Sequence, residues 1–162
     1  KQKNEDDKTT YKFAGMLTHK EMKEDAHGIE IVGENEKVGY ISDCILDESL
    51  QGKSIMKFLM ELYLFQIQYC GFDKTYLRTL EQSNMAHLAP KCGFVKLDKT
   101  QTVETQTFGE DTPGELLKEK TTLIDIGKEK VPLYTKKQER IFFQKNIKNY
   151  NFCYNAWLFS YN

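Results

Sequence analysis

The pattern of apolar and polar positions predicts a strand, a turn and a helix in the middle of the chain. Apolar and β-branched residues dominate 38–46, which is typical of a central strand buried on both faces at its end. A polar turn over 47–51 follows, and 52–69 then shows the spacing of an amphipathic helix. We expect the apolar stripe of this helix to form core. It consists of Ile55, Phe58, Leu59, Leu62, Phe65 and Ile67 or Tyr69.

Strands and short turns predominate in the rest of the predicted structure, with a polar arm over 1–10 at the start. Gly71 ends the long helix, and alternating positions resume after it. The remaining predicted elements are strands over 11–17, 28–32, 74–80 and 94–103, a short helix over 85–89 capped by Ser83 or Asn84, a loop over 107–114, a hairpin of 123–126 and 131–134 around Gly127, a helix over 136–150 and a final strand in the aromatic tail.

Composition narrows the class of protein. The chain has 162 residues, of which 40% are hydrophobic and 12% aromatic, so we expect one domain with its own core. Its formal net charge is −1, and Arg78 and Arg140 are its only arginines, so we expect no nucleic-acid partner. No apolar run reaches the roughly 18 residues of a membrane span. The stretch from Lys1 to Lys8 is charged and has no apolar segment, so we expect it not to be a signal peptide. These features predict an intracellular protein, cytoplasmic or nuclear, with no membrane partner.

Cysteines and histidines do not suggest a metal site. The four cysteines are widely spread without a C-x-x-C pair, and the three histidines show no ligand spacing relative to them. We therefore predict no metal and interpret the cysteines as reduced, mostly buried thiols. These residues are Cys44, Cys70, Cys92, Cys153, His19, His27 and His87.

The turn between the central strand and the long helix is a candidate anion site. A helix N terminus offers unpaired backbone N–H groups and a partial positive charge, and Gly52 lets an anionic group approach closely. Lys53 adds a charge. An ordinary strand-to-helix connection is the alternative. A phosphate-binding P-loop is excluded, because Asp47 stands where that motif requires its first glycine.

Two segments within 37–97 resemble the core of the GNAT superfamily of N-acetyltransferases. They are the run from Lys37 to Met60 and the stretch from Asn84 to Lys91-Cys92-Gly93-Phe94. The resemblance implies an α/β (α+β) fold, with a mixed, mainly antiparallel twisted sheet flanked by helices. It also implies acetyl-CoA as cosubstrate and an amine acceptor. It divides the chain into the arm 1–10, a core 11–106 containing the cofactor-binding unit 38–69, and a C-terminal extension 107–162.

The same resemblance assigns roles to individual residues. The backbone N–H of Ile45 or Leu46 would bond the acetyl carbonyl, and the following turn would hold the pyrophosphate. Asn84 would bond the pantetheine arm, although capping a helix is the simpler interpretation. The candidate bases are Asp43, Glu48 and Glu81. Asp43 is preferred because its strand borders the acceptor site in the family, and an ordinary solvated or salt-bridged carboxylate is its alternative. The implied cofactor-binding residues are Ile45, Leu46, Gln51, Gly52, Lys53, Ser54, Ile55 and Asn84.

Several positions depart from the family pattern. The pyrophosphate loop is usually Q/R-x-x-G-x-G/A, and here those positions hold Ser49, Gly52 and Ser54. Ala89 stands where the family commonly has a tyrosine as general acid to the departing thiolate. His87 is the nearest candidate substitute, and a surface or packing histidine is its alternative.

Weaker local similarity links the central strand to glucosamine-6-phosphate N-acetyltransferases. Asp43 matches them, but Tyr40 and Ser42 do not, and the carboxylate of their next strand would fall near Arg78. Sugar-phosphate specificity is therefore not supported. The 37 residues before Val38 leave room for two strands but not for the two helices that the family has there. We expect the long C-terminal region to replace part of the acceptor half.

Two functional hypotheses follow. The first is an N-acetyltransferase acting on a primary amine of a protein or small molecule. The second is a degenerate, non-catalytic member of the fold that serves as a binding or assembly module. Its support is Ala89, the degenerate loop with Ser49 and Ser54, and the lack of room for the two helices before Val38. The aromatic C-terminal region is interpreted as core and dimer interface, through which a homodimer or a protein partner could form. A stacking surface for bases or an acceptor pocket is the alternative.

Overall fold

The computed structural model describes residues 14–23, 29 and 35–148. Within them the chain forms a seven-stranded sheet and two α-helices, with short 3-10 helices at Glu48–Leu50 and Lys118–Lys120. The elements are β1 (Gly15–Met22), β2 (Val38–Leu46), α1 (Ile55–Tyr69), β3 (Lys74–Leu80), α2 (Asn84–Lys91), β4 (Val95–Thr107), β5 (Glu115–Leu116), β6 (Thr122–Ile126) and β7 (Glu129–Asn146).

The sheet is mixed and mainly antiparallel, which confirms the predicted fold class. Its order is β1-β2-β3-β7-β4, and the short strands β5 and β6 pair with the long β7. Only the β2–β3 pair is parallel among the described strands. The chain crosses from β2 to β3 through α1, which is the long connection that a parallel pair requires.

Local patterning located several elements correctly. The strands predicted over 38–46 and 74–80 are β2 and β3. The predicted hairpin is also confirmed, because β6 pairs with the start of β7 around Gly127, whose φ is +65°. The prediction that β2 is buried at its end is wrong. Its first half, Val38–Ile41, is buried, and its second half is partly exposed because it has no partner in β3.

The helix predicted over 136–150 is wrong over 136–146, where the chain continues β7. Lysine, glutamine, glutamate and arginine favour a helix by intrinsic propensity. Here β3 pairs with β7 on one side and β4 on the other, and Ile141, Phe142 and Phe143 are buried on its two faces. Tertiary pairing therefore overrides propensity, and the region beyond 107 contributes a strand to the interior of the sheet.

Helix boundaries also differ from the prediction. α1 begins at Ile55 and not at Gly52, because Gly52 (φ +74°) and Ser54 (φ +59°) both adopt left-handed backbone conformations. α2 runs two residues past its predicted end, through Pro90, and closes when the Cys92 N–H donates to the Leu88 and Ala89 carbonyls.

Both helices pack on the same face of the sheet. Their core includes Leu64 and Ile67 of α1, Ala89 of α2, and Ile41, Leu77 and Phe143 of the sheet. On the opposite face a smaller cluster surrounds Tyr40 and Tyr76. It consists of Met22, Ile29, Val38, Tyr40, Tyr76 and Phe142, with Leu97 packed against it.

The predicted core stripe of α1 needs correction. The buried residues of the helix are Met60, Tyr63, Leu64 and Ile67. Most of the predicted stripe faces outward instead, since Phe58, Leu62, Phe65 and Tyr69 have exposed fractions of 36%, 40%, 49% and 87%. Both sets have helical spacing, so periodicity could not choose between them. Only the seating of the helix on the sheet decides which one is covered.

The remaining predictions concern segments that lie partly or wholly outside the described residues. The strand predicted over 11–17 is observed as β1 from Gly15 onward, and residues 11–13 lie outside the described part. Of 28–32 only Ile29 is described, as a single bridging residue. The predicted strand in the aromatic tail lies outside the described residues. Within the described residues no helix is long and apolar enough to cross a membrane.

Candidate functional site

The two parallel strands at the centre of the sheet separate halfway along their length. β2 and β3 are paired from Val38–Ile41 against Lys74–Leu77, and the rest of each strand has no partner in the other. β1 stays paired with β2 to Leu46, and β7 stays paired with β3 to Leu80. Each of the two strands therefore stays hydrogen-bonded to its outer neighbour, and a V-shaped gap opens between them.

A bulge bends β2 where the gap begins. Thr18 of β1 lies opposite Asp43, and the next residue, His19, lies opposite Ile41, so Ser42 is an extra residue on β2. The Thr18 hydroxyl donates to the Asp43 carboxylate at 2.7 Å and lies 2.8 Å from the Ser42 hydroxyl. The bulge therefore brings Ser42 and Asp43 to one side of the strand and fixes the Asp43 side chain.

A cavity of about 670 Å³ occupies one side of this gap, within the size range of small-molecule sites. It extends from the end of β2, across the turn before α1, to one face of α2. Its lining comprises Cys44, Leu46, Leu50, Gln51, Gly52, Ser54, Ile55, Met56, Lys57, Thr79, Ser83, Asn84, Met85, Leu88 and Lys91.

The turn before α1 gives the cavity a positive wall. The Ser54 side chain makes no capping hydrogen bond, and α1 starts at the following residue. The first N–H groups of a helix lack partners within the helix and carry about half a positive charge between them. Lys57 and Lys91 add cationic side chains, and none of the described residues that line the cavity is acidic. The wall suits a phosphate-bearing ligand.

Asp47, the residue that argues against a P-loop, caps the short 3-10 helix Glu48–Leu50 and does not line the cavity. Its carboxylate accepts hydrogen bonds from the Ser49 backbone N–H at 3.0 Å and from the Ser49 hydroxyl. The Gln51 side-chain amide donates to the Leu46 carbonyl at 3.3 Å, which ties the turn to the end of β2. These bonds set the turn without placing negative charge on the cavity wall.

The structure brings six of the eight predicted cofactor-binding residues to this cavity, and two lie outside its lining. Lys53 is exposed, and Ile45 is 46% exposed at the end of β2. Asn84 lines the cavity as the first residue of α2, while Ser83 is the cap and accepts the Ala86 N–H at 3.2 Å. The six lining residues are Leu46, Gln51, Gly52, Ser54, Ile55 and Asn84.

Most of the α2 residues that line the cavity were not predicted from the sequence; of these residues only Asn84 was. Asn84, Leu88 and Lys91 recur at the i, i+4, i+7 spacing of one helix face, and that face lines the cavity. This spacing was visible in the sequence. The placement of the face against the α1 turn was not, because it depends on how both helices seat on the sheet. Cys44, Met56 and Thr79 were likewise not predicted as lining residues.

Two positions singled out for acid chemistry do not reach the cavity. His87 is exposed on α2 and is not among the lining residues. Ala89 is fully buried in the core beneath α2. None of the described lining residues is a tyrosine or a histidine.

A second, smaller cavity of about 140 Å³ adjoins the first. It shares Cys44, Thr79 and Met85 with the larger cavity, so the two meet within the gap between β2 and β3. Asp43 and Arg78 are the charged residues of its described lining. The other lining residues are Ile41, Ser42 and Leu77.

Cys44 lies at the junction of the two cavities. Its Sγ is 3.0 Å from Met56 Sδ. Burial raises the pKa of the Cys44 thiol to about 12, with a further contribution from Cys92. The side chain is therefore a neutral thiol at physiological pH and a poor nucleophile.

Comparisons with known proteins identify the fold through structure and not through sequence. No family model matches the chain, and no curated protein matches it by sequence. An acetyltransferase of Bacillus subtilis, solved in complex with CoA, superposes with a TM-score of 0.50 at 15% identity, over 83% of this chain and 70% of that one.

Two further solved structures match with lower TM-scores. The NatC complex bound to Gag peptide and CoA matches at 15% identity with a TM-score of 0.48, over 82% of this chain. A GNAT family acetyltransferase from Elizabethkingia anophelis with acetyl-CoA bound matches at 13% identity with a TM-score of 0.43, over 80% of this chain and 97% of that one. The chain spans 60% of the length of the NatC chain that it matches.

The sheet order, the separated parallel pair and the structural similarity define a protein of the GNAT fold. The chain is a divergent representative of that fold, since it retains the strand, turn and helix unit of 38–69 but lacks the usual loop glycine at Ser54.

Proposed function

We propose that the chain is an acetyl-CoA-dependent N-acetyltransferase that acts on a primary amine of a protein or small molecule. The observation that carries the proposal is the opening of β2 from β3 beside an uncapped helix N terminus, with the 670 Å³ cavity between them. The pyrophosphate of acetyl-CoA would lie on the Gln51–Ser54 turn, with Lys57 and Lys91 near its phosphates. The pantetheine arm would run into the gap toward Cys44.

The proposed reaction is a direct transfer. The amine nitrogen attacks the thioester carbonyl carbon, the C–N bond forms and the C–S bond breaks. The nitrogen loses one proton, and the departing CoA thiolate carries the electron pair and later takes one proton. Holding both reactants in one gap replaces an encounter in solution and so lowers the entropic part of the barrier.

The backbone of β2 offers a donor for the developing oxyanion. The Asp47 N–H donates to the Ala14 carbonyl on the β1 side at 2.8 Å. Successive N–H groups of a strand point to opposite sides, so the Leu46 N–H points toward the gap and the Ile45 N–H toward β1. This favours Leu46 over Ile45 as the oxyanion donor.

Asp43 is the proposed acceptor of the amine proton, directly or through one water. It lines the smaller cavity, where the amine would enter, and the bond from Thr18 holds its carboxylate in place. The thiolate needs no protein acid, because a thiol with a pKa near 8.5 is a tolerable leaving group as its anion and can take its proton from water. We accordingly assign no role to His87.

Cys44→Ala tests whether transfer is direct. A cysteine at the junction invites an acyl-enzyme mechanism, but its raised pKa leaves almost no thiolate at pH 7.5. We expect the variant to retain turnover within about threefold of wild type, since it removes only packing near the gap. Mass spectrometry should find no acetylated Cys44 in the wild type after incubation with acetyl-CoA. An activity loss beyond a hundredfold would contradict direct transfer.

A ligand titration separates this proposal from the alternative of a non-catalytic module. Binding to the native state raises apparent thermal stability by RT ln(1 + [L]/Kd), so acetyl-CoA and CoA should both raise the Tm. Thiol release should then be measured across a panel of amines. The absence of a Tm shift at millimolar ligand would overturn the cofactor site, whereas a shift without thiol release would support a binding module.

A further inference from the structure

The side of the smaller cavity that faces the helices is apolar. Ile41 and Leu77 line it and belong to the core cluster beneath α1 and α2, while Cys44 and Met85 line it and pack against that cluster. Thr79 also lines it and lies two positions after Leu77 on β3, so the two side chains share a face.

The two polar groups on this side already have partners. The Thr79 hydroxyl oxygen lies 2.6 Å from the hydroxyl oxygen of Ser83, the cap of α2. The Cys44 thiol lies 3.0 Å from the thioether sulfur of Met56. Hydrogen bonding therefore contributes little on this side, and a ligand group that enters it meets carbon and sulfur atoms.

The charged residues of the smaller cavity are held elsewhere by partners of their own. Arg78 follows Leu77 on β3 and so faces the opposite side of the sheet, where its Nε donates to the Tyr40 hydroxyl at 2.8 Å. The Asp43 carboxylate accepts the hydrogen bond from Thr18. Neither charged residue is among the described residues that line the larger cavity.

The passage between the two cavities lies on the apolar side. It is formed by Cys44, Thr79 and Met85, the described residues that line both cavities. Beyond it lie Ile41 and Leu77, the last residues at which β2 and β3 are paired, with exposed fractions of 4% and 2%. A group that extends from the larger cavity through this passage therefore ends on the apolar base of the gap.

An acyl group attached to CoA would lie at this passage. The Leu46 N–H, the proposed oxyanion donor, is two positions from Cys44 on β2, a span of about 6.6 Å. The smaller cavity has a volume of about 140 Å³. A water molecule takes about 30 Å³ of the liquid, and a methylene group is of similar size, so two further methylene groups fit there. The Met85 side chain is unbranched and flexible and adapts to the chain that passes it.

We propose, on the basis of the proposed function, that the site takes a linear acyl chain longer than acetyl, such as butyryl, whose end lies in the smaller cavity on Ile41 and Leu77. The C–N bond forms and the C–S bond breaks as in acetyl transfer, and the part of the cavity next to Asp43 is left to the amine. Each methylene group that leaves water for this surface strengthens binding by about fourfold. A chain that ends in a carboxylate, such as succinyl, would bury its charge against apolar side chains and is disfavoured.

Calorimetric titration of the wild type with CoA, acetyl-CoA, butyryl-CoA and succinyl-CoA tests the proposal without an acceptor. We expect butyryl-CoA to bind at least about fivefold more tightly than acetyl-CoA, and succinyl-CoA to bind more weakly than butyryl-CoA. Binding of CoA and acetyl-CoA with no gain for butyryl-CoA, or tighter binding of succinyl-CoA, would overturn the inference and leave the cofactor site intact. No binding by any of the four would overturn both.

Two variants change the width of the passage in opposite directions. Met85→Trp narrows it, so the preference for butyryl-CoA over acetyl-CoA should fall below about twofold. Met85→Ala widens it, so hexanoyl-CoA should gain at least about threefold relative to butyryl-CoA. Met16→Trp is the matched control, because Met16 is 37% exposed on β1 and is not among the described lining residues of either cavity. It should keep the wild-type preference. Unchanged preferences in both Met85 variants, with thermal unfolding showing that they are folded, would contradict the proposed acyl site.

Discussion

Gly52→Glu is expected to abolish acetyl-CoA binding while leaving the fold intact. Gly52 lines the large cavity with φ +74°, and an added Cβ would meet no protein atom within 4 Å. The new carboxylate would therefore project into the space proposed for the pyrophosphate and repel it. We expect at least about a hundredfold weaker CoA binding by calorimetry, or about 2.7 kcal/mol, together with loss of turnover.

Gly127→Glu supplies the matched control for this variant. Gly127 also has a positive φ, +65°, with nothing within 4 Å of an added Cβ, and it lies in the β6–β7 turn. Both variants should lose about 1–2 kcal/mol of stability from the left-handed backbone, so thermal unfolding should shift similarly. Only Gly52→Glu should lose CoA binding. Full activity in Gly52→Glu would contradict the proposed cofactor site.

Leu64→Ala should strongly destabilise the protein. Leu64 is fully buried between α1 and the sheet, within the core cluster that includes Ile41, Leu77 and Phe143. Truncation removes apolar contacts and leaves a cavity that the packed sheet cannot fill, which costs about 2–5 kcal/mol. Urea denaturation followed by circular dichroism measures the change as a lower midpoint.

Leu62→Ala makes the same chemical change on the other side of α1. Leu62 belongs to the stripe that hydrophobic periodicity predicts as core, but it is 40% exposed. We expect a loss below about 1 kcal/mol, because little apolar area leaves water at that position. A loss at Leu62 equal to that at Leu64 would mean that the outer stripe is covered in solution.

The candidate site shows how far local sequence signals reach. Gly52, Ser54 and Asn84 could be selected from the motif, and all three line the cavity. Leu88 and Lys91 of α2 could not be selected in this way, because they reach the cavity only through the angle at which α2 packs on the sheet. The left-handed φ of Ser54 was also hidden, because serine rarely adopts it without tertiary support.

In the C-terminal half of the chain, tertiary strand pairing outweighs local sequence preference. The run from Lys136 to Arg140 has strong helix propensity, yet it forms part of β7, which pairs with β4 on one side and with β5 and then β3 on the other. Inter-strand hydrogen bonds on both sides and burial of Ile141 to Phe143 outweigh a propensity difference of a few tenths of a kcal/mol per residue. Contacts between residues some 60 positions apart cannot be read from a local window.

By itself, the sequence determined the elements that depend on short-range chemistry: the β-branched run of β2, the alternation of β3, the turn at Gly127 and the glycine-containing turn before α1. Tertiary structure alone decided which stripe of α1 is buried, where β2 leaves β3, and that Cys44, Thr79 and Met85 line both cavities. The reason is physical. Periodicity and turn preference act within a few residues, whereas burial, strand pairing and cavity walls depend on partners that only the folded sheet brings together.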